Sequence, residues 1–560
     1  MFKKARHRSS EYTDASSPSH NSLSFVSRFI ESLYETLSQN VLYLIMAVVG
    51  ISFLAMLALR IHLITAYIPE LGGIESNVIY SLQRILDGYP LYVDPATAPY
   101  SITQYTPLYY YLCWLVGKLF QVDAANVHQV YILCRTVSLV LNLLFAGTAF
   151  FILHNIFRVR KALSFVAFAY AFVYLDEESF SRPDSLYSLL VLVSIGLFLK
   201  MLIQKEQRPS QFYLISASVV SITAIFAKQS AIYLPMLLLF FLLFYVRNIR
   251  WTLAALLSMG GAFSLLFLMS GGGDVHAFLQ NTVQGVNNGA SLAWFAKRIM
   301  IEHFQKERII NILGLFIGTY YLAKGKADTL KFLGLCILGS FAFALVTSVK
   351  IGAAPNYFTE FIVLTVIGAI VFVTNNDALF RKPYLIKETW GSSYKPLFYL
   401  LLVIFTLPPR FAGKFQKKVV EVYQVGEKGY TEELAVVDYL YKEGHLQSSD
   451  QVLVTTHVQD YLNKFLYKNV IFPQKEIVKA NPPGVYDYSL FKQGLRQGTV
   501  KYIVASLSEG HVDTLAQDMA ISYDLVDADF SSYKPVTQLG DYVIFEHQNR
   551  ISTASNPNKH

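Results

Sequence analysis

Eleven apolar runs recur between residues 41 and 409 of this 560-residue chain, parted by short polar loops. A helix needs roughly 20 apolar residues to cross the hydrocarbon of a bilayer, and in lipid each backbone amide must be satisfied within its own segment. Such a chain folds as a bundle of membrane helices. The runs fall near 41–59, 130–153, 162–175, 185–203, 211–227, 229–246, 251–270, 309–323, 332–349, 357–374 and 395–409. Composition agrees: 53% of residues are hydrophobic and 15% charged, where soluble domains carry roughly 25% charged residues. The net charge of +8 does not point to nucleic acid, because the Lys and Arg residues collect in loops, where they set topology. Cys113, Cys134 and Cys336 lie in or beside apolar runs and show neither metal spacing nor a disulfide pattern. Residues 1–40 are too polar for a signal peptide and read as a disordered cytoplasmic tail.

The loop between the first two runs, 60–126, is unusually long. Ile74, Val78, Leu82, Ile85 and Leu86 share one helical face, and Gly88 and Pro90 end that helix. A second pattern starts at Pro107 with Leu108, Leu112, Leu115, Val116 and Leu119. These predict two helices lying on the bilayer surface, with Glu75 at the start of the first. Reading 105–121 as a surface helix, not a span, leaves the basic loops at 158–161, 200–208, 247–250, 324–331 and 381–395 on the side of the tail. The positive-inside rule then makes that side cytoplasmic. An odd number of spans places residues 410–560 on the outer face. There DQVLVTT, NVIFP, VKYIVAS and DYVIFEH read as strands, and VQDYLNKFL, YSLFKQGLRQG and VDTLAQDM as helices, which predicts a small α/β domain.

With this topology, polar residues gather at the outer ends of the spans, where ionisable groups are costly and usually functional or paired. Asp176, Glu177, Glu178, Arg182 and Asp184 form one acidic-basic turn, Lys228 interrupts an apolar run, and Asn356 and Tyr357 sit in a polar turn at 350–360. A sugar held on a lipid phosphate suits these groups. Its leaving phosphate calls for cations where charge accumulates, a role open to Lys228 and Arg182. An acceptor hydroxyl calls for a carboxylate to take its proton, a role open to Glu75. Each residue also has a structural reading. Glu75 could stabilise a helix start, Arg182 and Asp184 could pair with each other, and Lys228 could snorkel. Asn356 and Tyr357 could cap a helix, and Glu360 could be structural. Tyr105, Tyr109, Tyr110 and Tyr111 could form an interfacial belt. Trp294, Lys297, Arg298 and His303 are candidate lid contacts.

Several motifs, taken in order, resemble those of the GT-C superfamily of membrane glycosyltransferases, in the branch of protein O-mannosyltransferases and lipid A aminoarabinose transferases (glycosyltransferase family 39-like). Glu75 precedes DGYPLYVDP (87–95), and YTPLYYYL (105–112) stands where that branch has a Pro-Pro-Leu motif. RPDSL (182–186), AKQS (227–230) and PNYFTE (355–360) follow in the family's order. The resemblance covers residues 40–410 and implies a GT-C transmembrane domain at 41–409, followed by the extracytoplasmic α/β domain at 410–560. It further implies inverting transfer from a polyprenyl-phosphate sugar donor to a lipid, protein or polysaccharide acceptor, at the outer face of a membrane expected to be the bacterial cytoplasmic one. Glu75 would be catalytic, Lys228 and Arg182 would bind the donor phosphate, and Asp184, Asp176, Gln104, Tyr105, Asn356 and Tyr357 would line the cleft. A divalent metal is the one cofactor it leaves open, although a single Glu75 stands where relatives show Asp or an Asp-Glu pair. Gln104 and Tyr105 replace a Lys that some relatives place before the prolines. The rivals are a flippase of lipid-linked sugars, which would show inverted repeats and broken midplane helices, and a non-catalytic glycan- or lipid-binding relative.

Overall fold

The computed structural model describes residues 43–376, less 70, 72–74, 176–179, 205–208 and 271–273, together with 427–548, less 456–460, 475–476, 478–483, 507–529 and 531. Ten of the eleven expected runs are helices in this range, and the run at 395–409 lies outside the described residues. The membrane domain begins with α1 (Tyr43–Ile64). The loop helices α2 (Glu75–Leu86) and α3 (Leu108–Leu119) follow, then α4 (Val127–Phe151), α5 (Lys161–Tyr174), α6 (Asp184–Ile203), α7 (Pro209–Ala227), α8 (Tyr233–Phe241) and α9 (Ile249–Ser270). Two short helices, α10 (Val275–Leu279) and α11 (Leu292–Trp294), lead to α12 (Arg308–Lys324), α13 (Asp328–Thr347) and α14 (Thr359–Asn375). Eight helices among the described residues are long and apolar enough to cross a membrane.

Burial orders the bundle. Helix α14 is buried from Thr359 to Val373, so it forms the centre. Helix α9 instead turns Leu253, Leu256, Leu257, Leu265 and Leu268 outward, as a lipid-facing helix does. Glycine sets the spacing where helices touch most closely. A Cβ on Gly314 would meet the Thr365 hydroxyl at 2.4 Å and the Phe361 ring at 2.5 Å, so α12 can approach α14 only without one.

The amphipathic pattern of α2 understates its burial: every residue in it except Arg84 is buried. The C-terminal domain covers it. Gln83 Nε2 donates to Ala124 O at 2.8 Å and to Lys464 O at 3.0 Å, and Lys468 pairs with Asp87 at 2.9 Å. Tyr100 stacks on Phe472 with centroids 4.9 Å apart. Of the two loop helices, α3 is the one with an exposed apolar face, at Trp114, Leu115 and Leu119. An amphipathic pattern says that a face is buried; it does not say against what.

The C-terminal domain is built on a five-stranded sheet of order β2-β1-β3-β5-β4. Strands β1 (Gln451–Val454), β2 (Val470–Ile471) and β3 (Val500–Ser506) run parallel, while β4 (Tyr533–Leu539) and β5 (Tyr542–His547) form an antiparallel hairpin on β3. Four of these match the expected strands. Strand β4 was not among those expected; it carries Pro535, which an edge strand tolerates. Gly540, at φ +56°, makes the tight turn into β5. Helices Leu462–Phe465 and Ser489–Gln497 fall where two were expected, and the third, at 512–519, lies outside the described residues. The helix Glu427–Lys442 was not anticipated.

Candidate active site

Two buried ionic clusters sit at the end of the bundle that carries the C-terminal domain. The first is built on Glu75, the opening residue of α2. Arg135 on α4 donates to it twice, from Nε to Oε1 at 3.2 Å and from Nη2 to Oε2 at 3.1 Å. The backbone N–H of Leu71 adds a third bond at 2.6 Å. Both side chains are fully buried. The guanidinium also donates to the carbonyls of Leu63, Ala66 and Ile68, so it stitches the end of α1 to the start of α2. Both carboxylate oxygens are thus engaged by a permanently charged donor.

The second cluster surrounds Asp184, the first residue of α6. Lys228, between α7 and α8, reaches its Oδ1 at 2.6 Å, and Asn356 Nδ2 donates to the same oxygen at 3.1 Å. Arg182 Nε lies 3.4 Å from Oδ2. The Lys228 ammonium also rests over the rings of Tyr357 and Tyr187, at 5.2 and 5.7 Å. A narrow cavity opens here, lined by Lys228, Asn356, Tyr357, Glu360, Tyr187 and Tyr233. The Oδ1 of Asn356 is buried in its wall with no hydrogen-bond partner. Glu360 accepts a 2.6 Å bond from Ser188 Oγ and has no cation within ion-pair distance among the described residues.

The loop before α3 is pinned against this cluster. Gln229 Nε2 donates to Gln104 O at 2.6 Å and to Thr282 O at 3.0 Å, while Thr106 Oγ1 donates to Ile225 O at 2.8 Å. Tyr105 comes near enough to Lys228 and Tyr357 to act on them electrostatically. Trp294 Nε1 donates to Ala353 O at 2.9 Å, tying the 291–294 segment to the turn that leads to Asn356.

Of the sequence candidates, the fold brings together Lys228, Arg182, Asp184, Asn356 and Tyr357, with Gln104 and Tyr105 at the margin. Glu75 belongs to the other cluster, and Asp176, with Glu177 and Glu178, lies outside the described residues. Of the candidate lid residues, His303 is buried and stacked on Phe358, whereas Arg298 is exposed and pairs with Glu302. Sequence reasoning missed Arg135 and gave Glu360 only a structural reading. The signal for Arg135 was a lone charge within an apolar run, which calls for a partner. As for a metal, Glu75 is already occupied by a guanidinium, and no group of three His, Cys, Asp or Glu side chains converges among the described residues. Among the described residues, that donor set does not fit a cation.

No family model matches the chain, and no curated protein does. Solved structures do. The apo oligosaccharyltransferase of Archaeoglobus fulgidus superposes with a TM-score of 0.58 at 13% identity, covering 88% of this chain and 73% of that one. ArnT from Cupriavidus metallidurans, bound to undecaprenyl phosphate, gives 0.53 at 13% identity, covering 90% of this chain and 97% of that one. The archaeal oligosaccharyltransferase AglB of A. fulgidus, in complex with an inhibitory peptide and a dolichol-phosphate, gives 0.53 at 14% identity, covering 88% and 72%. Identities this low speak to architecture alone. The chain has the fold of the GT-C membrane glycosyltransferases, with a small α/β domain at its C-terminal end.

Proposed function

We propose that this chain is an integral-membrane glycosyltransferase that moves a sugar from a polyprenyl-phosphate donor to an acceptor hydroxyl on the extracytoplasmic side. The observation that carries this reading is the Asp184–Lys228–Arg182 cluster. It puts two cations and one carboxylate beside a cavity, in a fold whose solved relatives hold undecaprenyl phosphate and dolichol-phosphate.

The chemistry follows from charge. As the bond from the anomeric carbon to the phosphate oxygen breaks, its electron pair goes to the phosphate. Lys228 and Arg182 oppose that growing negative charge in a site of low dielectric, and Asp184 holds both cations in place. The acceptor oxygen attacks the anomeric carbon from the far side, which inverts its configuration, and gives up its proton. The sequence assigns that proton to Glu75. Because Arg135 saturates Glu75, this reading gives the role to Glu360, the carboxylate that lines the cavity without a cationic partner. Asn356 Oδ1 is left to accept from a sugar hydroxyl. Glu75 remains the pin of the first loop.

Cells lacking the chain, complemented with wild-type or variant protein, provide the test. Mass spectrometry of envelope glycans should show a sugar that wild type restores and Glu360→Gln does not, while Glu360→Gln still binds undecaprenyl phosphate. A restored sugar with Glu360→Gln would remove that residue from the mechanism. Movement of a lipid-linked sugar across the membrane with no new glycosidic bond would replace the transferase with a flippase.

A further inference from the structure

Lys228 is already committed: its ammonium sits 2.6 Å from Asp184, and Arg182 lies against the other oxygen of that carboxylate. A phosphodiester donor carries one negative charge, and the phosphate it leaves behind carries up to two. The cluster alone is therefore under-charged for the anion it is asked to release. Another cation stands close by. Lys350 sits in the turn after α13, six residues before Asn356 in the sequence. The segment 288–291 fixes that turn: Ala290 and Lys350 form an antiparallel bridge, Ser291 N donates to Val349 O at 2.9 Å, and Ile351 N donates to Gly289 O at 3.1 Å. The Lys350 side chain is half-buried, Lys228 is the charge that acts on it, and no carboxylate pairs with it among the described residues.

We propose that Lys350 is a ligand of the donor's phosphate, the cation left uncompensated until the anion arrives; this rests on the transferase reading above. A half-buried cation beside a second cation is unfavourable without a counter-ion, and a phosphate between Lys350 and Lys228 relieves both. The protonation behaviour agrees. Burial, and behind it the Lys228 charge, lowers the Lys350 amine to about 8. Bound phosphate raises that value again, so binding takes up a proton above pH 8 and weakens as pH climbs past it. Among the described residues, the charged groups around Lys228 are Asp184, Arg182 and Glu360, and the clasping segment 288–291 brings none.

The test is binding of undecaprenyl phosphate to the full-length protein in lipid nanodiscs between pH 7 and pH 9.5, with inorganic phosphate as competitor. Wild type should bind the lipid and lose affinity above pH 8. Lys350→Met should bind about tenfold more weakly at pH 7 and lose the pH dependence, while Lys350→Arg should bind well with a flat profile. Inorganic phosphate at the same concentration should compete poorly. If wild type binds while Lys350→Met matches its affinity and its pH profile, Lys350 is not a ligand and the transferase reading survives. If wild type binds no undecaprenyl phosphate, or inorganic phosphate competes on equal terms, the lipid-phosphate reading itself is overturned. Should Lys350→Met fail to fold, a flat wild-type profile across pH 8 still counts against the proposal.

Discussion

The Glu75–Arg135 pair and the Asp184–Lys228–Arg182 cluster are both buried, both ionic and both at the same end of the bundle, yet they are built differently. In the first, one guanidinium meets one carboxylate, and backbone groups add further hydrogen bonds to both. In the second, two cations share one carboxylate among the described residues, beside a cavity whose wall also holds an unpaired amide oxygen. A buried charge pair that is complete acts as a fastener; one that is unequal and next to space can receive a charge. The first should therefore govern stability and the second binding.

The sharpest way to break this contrast is at Arg135. Arg135→Met strands a buried carboxylate, which costs about 3–5 kcal/mol, seen as a lower unfolding temperature in detergent. Replacing both partners, Glu75→Leu with Arg135→Met, should recover most of that loss and leave undecaprenyl phosphate binding and glycan transfer in place. A double variant that folds and binds but does not transfer would return Glu75 to the chemistry. Next in size is Lys228→Met. It should weaken undecaprenyl phosphate binding by roughly 100-fold, as expected for the loss of a buried charge-assisted contact, with the fold retained because Arg182 and Asn356 still hold Asp184. The smallest effect is expected at Gln83, which ties α2 to both Ala124 and Lys464. Gln83→Leu should cost about 1–2 kcal/mol, show as faster hydrogen exchange around Leu462–Phe465, and leave phosphate affinity nearly unchanged.

What could be read from the sequence follows the range of the interactions. The spans were legible because a membrane helix is specified by its own residues, and the strands at 451–454 and 500–506 because they are short apolar runs bounded by turns. The order RPDSL, AKQS, PNYFTE picked out the cluster, since each motif places a polar group at a helix end on the same side of the bundle. Pairings were not legible. Nothing local to Glu75 announces a partner sixty positions away on another helix, and nothing in the amphipathic face of α2 says that a sheet domain covers it. Lys350 was passed over for a related reason: a lysine in a turn looks solvated until the fold half-buries it beside Lys228.

The most direct test of the contrast is an experimental structure of the full-length protein with undecaprenyl phosphate bound. The account predicts the phosphate against Lys228 and Lys350, at the mouth of the cavity lined by Asn356, Tyr357 and Glu360, with the Glu75–Arg135 pair unbroken. A phosphate held by Arg135, with Glu75 released from it, would reverse the roles of the two clusters and contradict the account.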